Sequence, residues 1–181
     1  MHNKVVYHAM KTMNAPERGL CWPVLRFNFR GVGLSQGSHD GTAESGDVLA
    51  AIDWLVNAYN HPVVVAGFSF GAAMAVSACC GLCSDNSSSQ SSVRALALIG
   101  LPIRAGAQEY SYPSLSSCTI PKLFLSGDRD QYAPAAQWRQ VAASAAEPKR
   151  AVAIPGADHF FHNQLEQMQH ALAGWLKEQL P

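Results

Sequence analysis

Neither sign of charge prevails in this chain: 13 lysines and arginines stand against 13 aspartates and glutamates in 181 residues, and charged residues make up only 14%. A nucleic-acid binder needs a basic face and a disordered interaction tail needs a block of like charge, so both classes lose their footing. No apolar run approaches the roughly 18 residues of a membrane-crossing helix, and no signal-peptide pattern opens the chain. Cysteine is scarce and odd in number (Cys21, Cys79, Cys80, Cys83, Cys118), which is no disulfide framework. The expected setting is therefore the reduced cytoplasm, with neither membrane nor nucleic acid as a partner. His2, His8, His39, His61 and His170 have no second ligand at metal-binding spacing. Cys79-Cys80-Gly81-Leu82-Cys83 lacks a fourth ligand and reads as small buried side chains at a helix end. No metal and no cofactor are expected.

Hydrophobic residues, at 48%, are plentiful enough for one sizeable core, and residues 1–181 read as a single domain. Helical and extended patterns alternate, which predicts an α/β fold with a doubly wound, mostly parallel sheet and helices on both faces. Val5, Val6, Ala9, Met10 and Met13 recur at helical spacing, and Val24–Phe29 reads as the first strand. A helix over 48–59 follows, with Thr42, Glu44 and Asp47 near its start, where acceptors and negative charge are favourable. Strands are predicted at 63–66, 95–99, 121–127 and 150–154, and helices at 134–146 and 161–180. Residues 84–92 are too polar to bury and read as a flexible serine-rich surface loop. The irregular stretch 101–119 is expected to wall a pocket with Tyr110, Tyr112 and Leu115.

Gly67-Phe68-Ser69-Phe70-Gly71 sits between the apolar run Val63–Ala66 and the helix-forming run Ala72–Val76, a G-x-S-x-G pattern in strand-turn-helix context. Such a turn exposes a serine hydroxyl and aims it, while the following helix turns its free N–H groups toward a developing oxyanion. Ser69 is thus a candidate nucleophile and the Phe70 N–H a candidate oxyanion donor. A serine needs a base, and the base an orienting acid. Asp128 and Asp130 follow a predicted strand ending at Gly127, and His159 lies in the loop after the strand ending at Ile154. Both loops fall at the carboxyl edge of the sheet, where open α/β sheets collect their reactive groups. Either aspartate could instead be a turn residue. His162 is a rival base expected on a solvated helix face.

The stretches Arg26–Gly37, Gly67–Gly71, Gly127–Pro134 and Pro155–Phe161 together resemble the α/β-hydrolase superfamily, and within it the small bacterial serine hydrolases related to dienelactone hydrolase. The resemblance implies Ser69 as nucleophile, Asp130 as acid, in register with Ala133 and Pro134, and His159 as base. It begins at Met1-His2-Asn3-Lys4-Val5-Val6, whereas the resembling hydrolases carry His-Pro and Gly-Gly just before such a stretch. Their strand and oxyanion loop are therefore expected either to lie ahead of Met1 or to have been given up. A second copy could then pair with an exposed sheet edge to form a homo-oligomer.

The implied activity is cleavage of a small carboxylic ester or related acyl substrate through an acyl-enzyme on Ser69. The rival is a weak or inactive binding scaffold on the same frame. Gly31-x-Gly33-x-x-x-Gly37 also resembles a dinucleotide loop, but Ser38 to Gly41 separate it from any helix that could meet a pyrophosphate.

Overall fold

The computed structural model describes residues 3–16, 20–81 and 92–179. Among these residues five helices, α1 (Lys4–Asn14), α2 (Glu44–Tyr59), α3 (Phe70–Cys80), α4 (Ala135–Ser144) and α5 (Leu165–Gln179), surround a sheet of β1 (Val63–Phe68), β2 (Val93–Ile99), β5 (Lys122–Gly127) and β6 (Lys149–Ile154). The order is β1-β2-β5-β6, every neighbouring pair parallel. A hairpin of β3 (Arg104–Ala105) with β4 (Gln108–Glu109) and a 3₁₀ turn at Pro113–Ser116 occupy the stretch expected to be irregular.

Strand alternation explains the two layers. In β2 and β5, Ala95, Ala97, Ile99, Leu123 and Leu125 face α1 and α5, while Leu96, Leu98 and Phe124 face α2, α3 and α4. Helix α3 is apolar around its whole circumference and buries Ala72 to Val76, Ala78, Cys79 and Cys80. That is the signature of a core helix, and it seats the turn at its N-terminus firmly. Among the described residues, no helix is long and apolar enough to cross a membrane.

Four expectations need correction. Val24–Phe29 forms no strand. A strand exists by its ladder, and among the described residues β1 is paired with β2 alone, while residues 22–26 lie across a cleft of about 450 Å³ from it. The 101–119 stretch does not wall that cleft or the one beside Ser69: Leu115 is fully buried, Tyr110 and Tyr112 lie against the core, and the Tyr112 hydroxyl donates to the Pro102 carbonyl at 2.6 Å. The C-terminal helix starts at Leu165, since residues 162–164 form a turn. Finally, Cys80 at the end of α3 is disulfide-bonded to Cys118 ahead of β5. Spacing alone could not reveal a pair 38 residues apart that the sheet brings together. Cys79 stays a buried free thiol, pushed up to about 12 by burial and so unreactive, whereas Cys83 and residues 84–91 of the serine-rich loop lie outside the described residues.

Lys122, in a central strand, is fully buried, and its ammonium donates to the Cys118 and Ala146 carbonyls at 2.6 and 2.9 Å. Burial pushes its pKa down to about 8, below the ordinary 10.5. The unfolded chain therefore binds the extra proton between these values, so stability attributable to this group rises as pH climbs from about 8 to 10.5. Lys122→Met should lose that rise and, with two carbonyls orphaned, cost about 2 to 4 kcal/mol; urea melts of both proteins at pH 7.5 and 10 check it.

Candidate active site

Ser69 stands between β1 and α3 with φ 53 and ψ −121, a strained conformation for a residue with a side chain. Its N–H is held by the Ile99 carbonyl at 2.9 Å, and its own carbonyl receives the Ala72 N–H at 2.8 Å, so the turn is locked from both sides. The two flanking glycines differ in their reasons. A Cβ on Gly67 would collide with the Gly71 carbonyl and the Ala72 nitrogen, but one on Gly71 would only touch the Phe29 ring at 3.9 Å. The turn therefore demands a glycine at position 67 and not at position 71. Gly67→Ala should yield little folded protein or a melting point lower by 10 °C or more, while Gly71→Ala should shift it by roughly 3 °C or less, as thermal melts would show.

The two loops at the carboxyl ends of β5 and β6 bring the other groups. His159 Nε2 lies 2.9 Å from Ser69 Oγ, and Nδ1 donates to Asp130 Oδ2 at 2.7 Å. Both side chains are shut away from solvent, His159 at 2% exposure and Asp130 at 3%. Asp130 Oδ1 accepts the Tyr132 and Ala133 N–H groups at 2.8 and 3.1 Å, and the Ser126 hydroxyl donates to Oδ2 at 3.3 Å. The carboxylate is thus fixed in place with its charge satisfied. The rings of Phe68, Tyr132 and Phe160 surround the His159 imidazole at centroid distances of 4.8, 4.6 and 5.1 Å and limit its rotation.

The alternatives are employed elsewhere. Asp128 is exposed and accepts the Gly156 N–H at 2.6 Å, which ties the β5 loop to the β6 loop. His162 is exposed, not on a helix but in a turn, and its Nδ1 pairs with Asp158 Oδ2 at 2.6 Å. None of the glycines at 31, 33 and 37 opens a helix, because α2 starts only at Glu44. Among the described residues no group of three His, Cys, Asp or Glu side chains could hold a metal ion.

Ser69 and His159 open on a cleft of about 510 Å³, a size ordinary for small-molecule sites. The Phe70 N–H, first in α3, has no acceptor within the helix and stands beside Ser69. Phe70 is braced by the Phe29 and His39 rings at 5.5 and 4.9 Å. Behind them Arg30 makes a forked contact with Asp47 of α2, at 3.0 Å from Nε and 2.6 Å from Nη2 to Oδ1, and its hydrogen bonds hold that carboxyl below its ordinary range. Besides standing in the first turn of α2 as expected, Asp47 ties Arg30 to that helix. Sequence reasoning missed Asn28, Tyr132 and Phe160 as cleft-lining residues. Phe160 and Tyr132 adjoin the loop residues already singled out, which is the signal that could have found them.

Comparison with known proteins agrees with this arrangement. The family model described as an alpha/beta hydrolase domain matches residues 8–177. An uncharacterized protein of Rickettsia prowazekii is 33% identical over 186 residues, covering 97% of this chain and 72% of that one. An alpha-beta serine hydrolase homologue from Coxiella burnetii superposes with a TM-score of 0.81 at 30% identity, covering 97% of this chain and 77% of the other. A lidless serine hydrolase from Xanthomonas campestris gives a TM-score of 0.78 at 29% identity, over 100% of this chain and 76% of that one. Since that family pattern spans nearly the whole sequence and its architecture is the one described above, the chain belongs to the alpha/beta hydrolase family.

Proposed function

We propose that this protein is a serine hydrolase that cleaves a small carboxylic ester or related acyl substrate through an acyl-enzyme on Ser69. The observation that carries the reading is the unbroken hydrogen-bond chain from Ser69 through His159 to Asp130, opening on a cleft. Ser69 Oγ attacks the substrate carbonyl carbon as its proton passes to His159 Nε2, and the Phe70 N–H faces the oxyanion that forms. Collapse of the tetrahedral adduct breaks the bond to the leaving group, which takes the proton from His159. Water then attacks the acyl-enzyme, giving its proton to the same nitrogen, and the acid departs as Ser69 regains its hydrogen. Asp130 keeps the imidazole in the tautomer that can accept at Nε2 and stabilises the imidazolium. The balanced charge supports a small-molecule substrate over nucleic acid.

Incubation with a fluorophosphonate, followed by peptide mass mapping, tests the reading. One phosphonyl group on the peptide bearing Ser69, with matching loss of turnover on an ester panel, is expected. Absence of both labelling and turnover would leave the protein a binding scaffold.

A further inference from the structure

Three aromatic rings surround the His159 imidazole, and one further neighbour is bare backbone. Gly100, the residue after β2, has φ 56, and its N–H donates to the Leu125 carbonyl of β5 at 2.8 Å, so the sheet fixes its place. A Cβ built on it would stand 3.2 Å from His159 Cε1, 3.4 Å from His159 Nδ1 and 3.2 Å from Phe68 Cε2. The imidazole therefore occupies space that a side chain at position 100 would need, with the Phe68 ring tilted 36° to it and Tyr132 and Phe160 edge-on. Gly127, the last residue of the neighbouring β5, does for the main chain what Gly100 does for the ring. A Cβ there would collide with the Ala157 carbonyl and lie 2.8 Å from the Asp158 carbonyl oxygen, so the segment that leads to His159 crosses the end of β5 only over a glycine. Two missing side chains at adjoining strand ends thus bring the histidine in.

We propose that Gly100 is a positioning residue for the reaction at Ser69: by carrying no side chain it lets His159 reach Asp130 Oδ2 at 2.7 Å and Ser69 Oγ at 2.9 Å at once. The inference rests on the hydrolase reading above. Neither partner can follow a displaced ring, because the Tyr132 and Ala133 N–H groups hold Asp130 and the turn between β1 and α3 holds Ser69. A methyl group at position 100 pushes the imidazole by a few tenths of an ångström and lengthens one of its two hydrogen bonds or both. Proton transfer between the oxygens and Nε2 depends steeply on that geometry, whereas substrate binding does not pass through the buried ring. The cost therefore falls on kcat and spares KM.

The test sets Gly100→Ala beside Gly106→Ala. Gly106, in the turn between β3 and β4, has φ 61, yet nothing lies within 4 Å of a Cβ built there, so it carries the cost of a left-handed backbone without the contact. Gly100→Ala should lower kcat on p-nitrophenyl acetate by about 10- to 100-fold with KM within about threefold, and slow fluorophosphonate labelling by a like factor. Gly106→Ala should leave all three within about twofold. The proton NMR resonance of the His159 Nδ1–H shared with Asp130 should move in the first variant and stay in the second. Thermal melts complete the comparison: Gly100→Ala should melt about 5 °C or more below wild type, and the same substitution should cost less than half as much in a His159→Ala background. A Gly100→Ala protein that does not fold should be restored by His159→Ala, since the ring it collides with is gone. A kcat within about threefold of wild type, a loss that Gly106→Ala matches, or a melting deficit that persists in full without the ring would each overturn the proposal while leaving a Ser69 hydrolase intact. A wild type without turnover or labelling that still shows the coupling in the melts would instead overturn the hydrolase reading and uphold Gly100 as the residue that seats His159.

Discussion

Ser69→Ala is expected to abolish phosphonate labelling and to lower kcat on any ester substrate by about 10⁵- to 10⁶-fold, the scale seen when a triad nucleophile is removed. A loss this large is expected because, in the proposed mechanism, His159 and Asp130 act only through the hydroxyl that the histidine holds at 2.9 Å. The backbone around the residue is fixed by bonds that the substitution leaves alone, from the Ser69 N–H to Ile99 and from Ala72 to the Ser69 carbonyl. The variant should therefore melt within a few degrees of the wild type. Labelling that persists on the folded variant would remove Ser69 from its role.

Asp130→Asn should cut kcat by about 10³ to 10⁴ without unfolding the protein, and the structure says why an isosteric change is so costly. The Tyr132 and Ala133 N–H groups both point at Oδ1, which forces the oxygen of an asparagine into that position. Its NH₂ group must then face His159 Nδ1. That nitrogen would have to accept, so the proton moves to Nε2, and Nε2 can no longer take the proton of Ser69. Asp128→Asn keeps an oxygen for the Gly156 N–H and should leave kcat within about threefold. The kcat values of the two variants, measured side by side, check the assignment, and a reversed order would put the acid at the wrong aspartate.

Most of the secondary structure was legible because each element carries a local pattern. The α1 apolar positions recur at helical spacing, and Lys122–Gly127 is an apolar run closed by glycine. The hydrogen-bonded trio of Ser69, His159 and Asp130 was legible for a different reason: a serine turn between glycines and two strand-ending loops follow rules of connection, which operate over a few residues. Where reading failed, a distant neighbour decided. Val24–Phe29 has strand-like residues but no ladder, and Leu115 is apolar in a loop yet belongs to the core rather than a pocket wall. The same holds for Cys80 and Cys118, whose pairing depends on how α3 crosses the sheet.

By itself the sequence determined the alternation of helices and strands, the turn that presents Ser69, and the loops that carry Asp130 and His159, since periodicity and turn chemistry are local and survive without the fold. The resemblance implies Asp130 over Asp128, but only the tertiary structure shows which of the two meets His159. They are two residues apart, and what separates them is that one points inward to a ring nitrogen 29 residues away while the other bonds a backbone N–H 28 residues away. It alone also set the strand order β1-β2-β5-β6, because which strands lie side by side does not follow from any segment's composition.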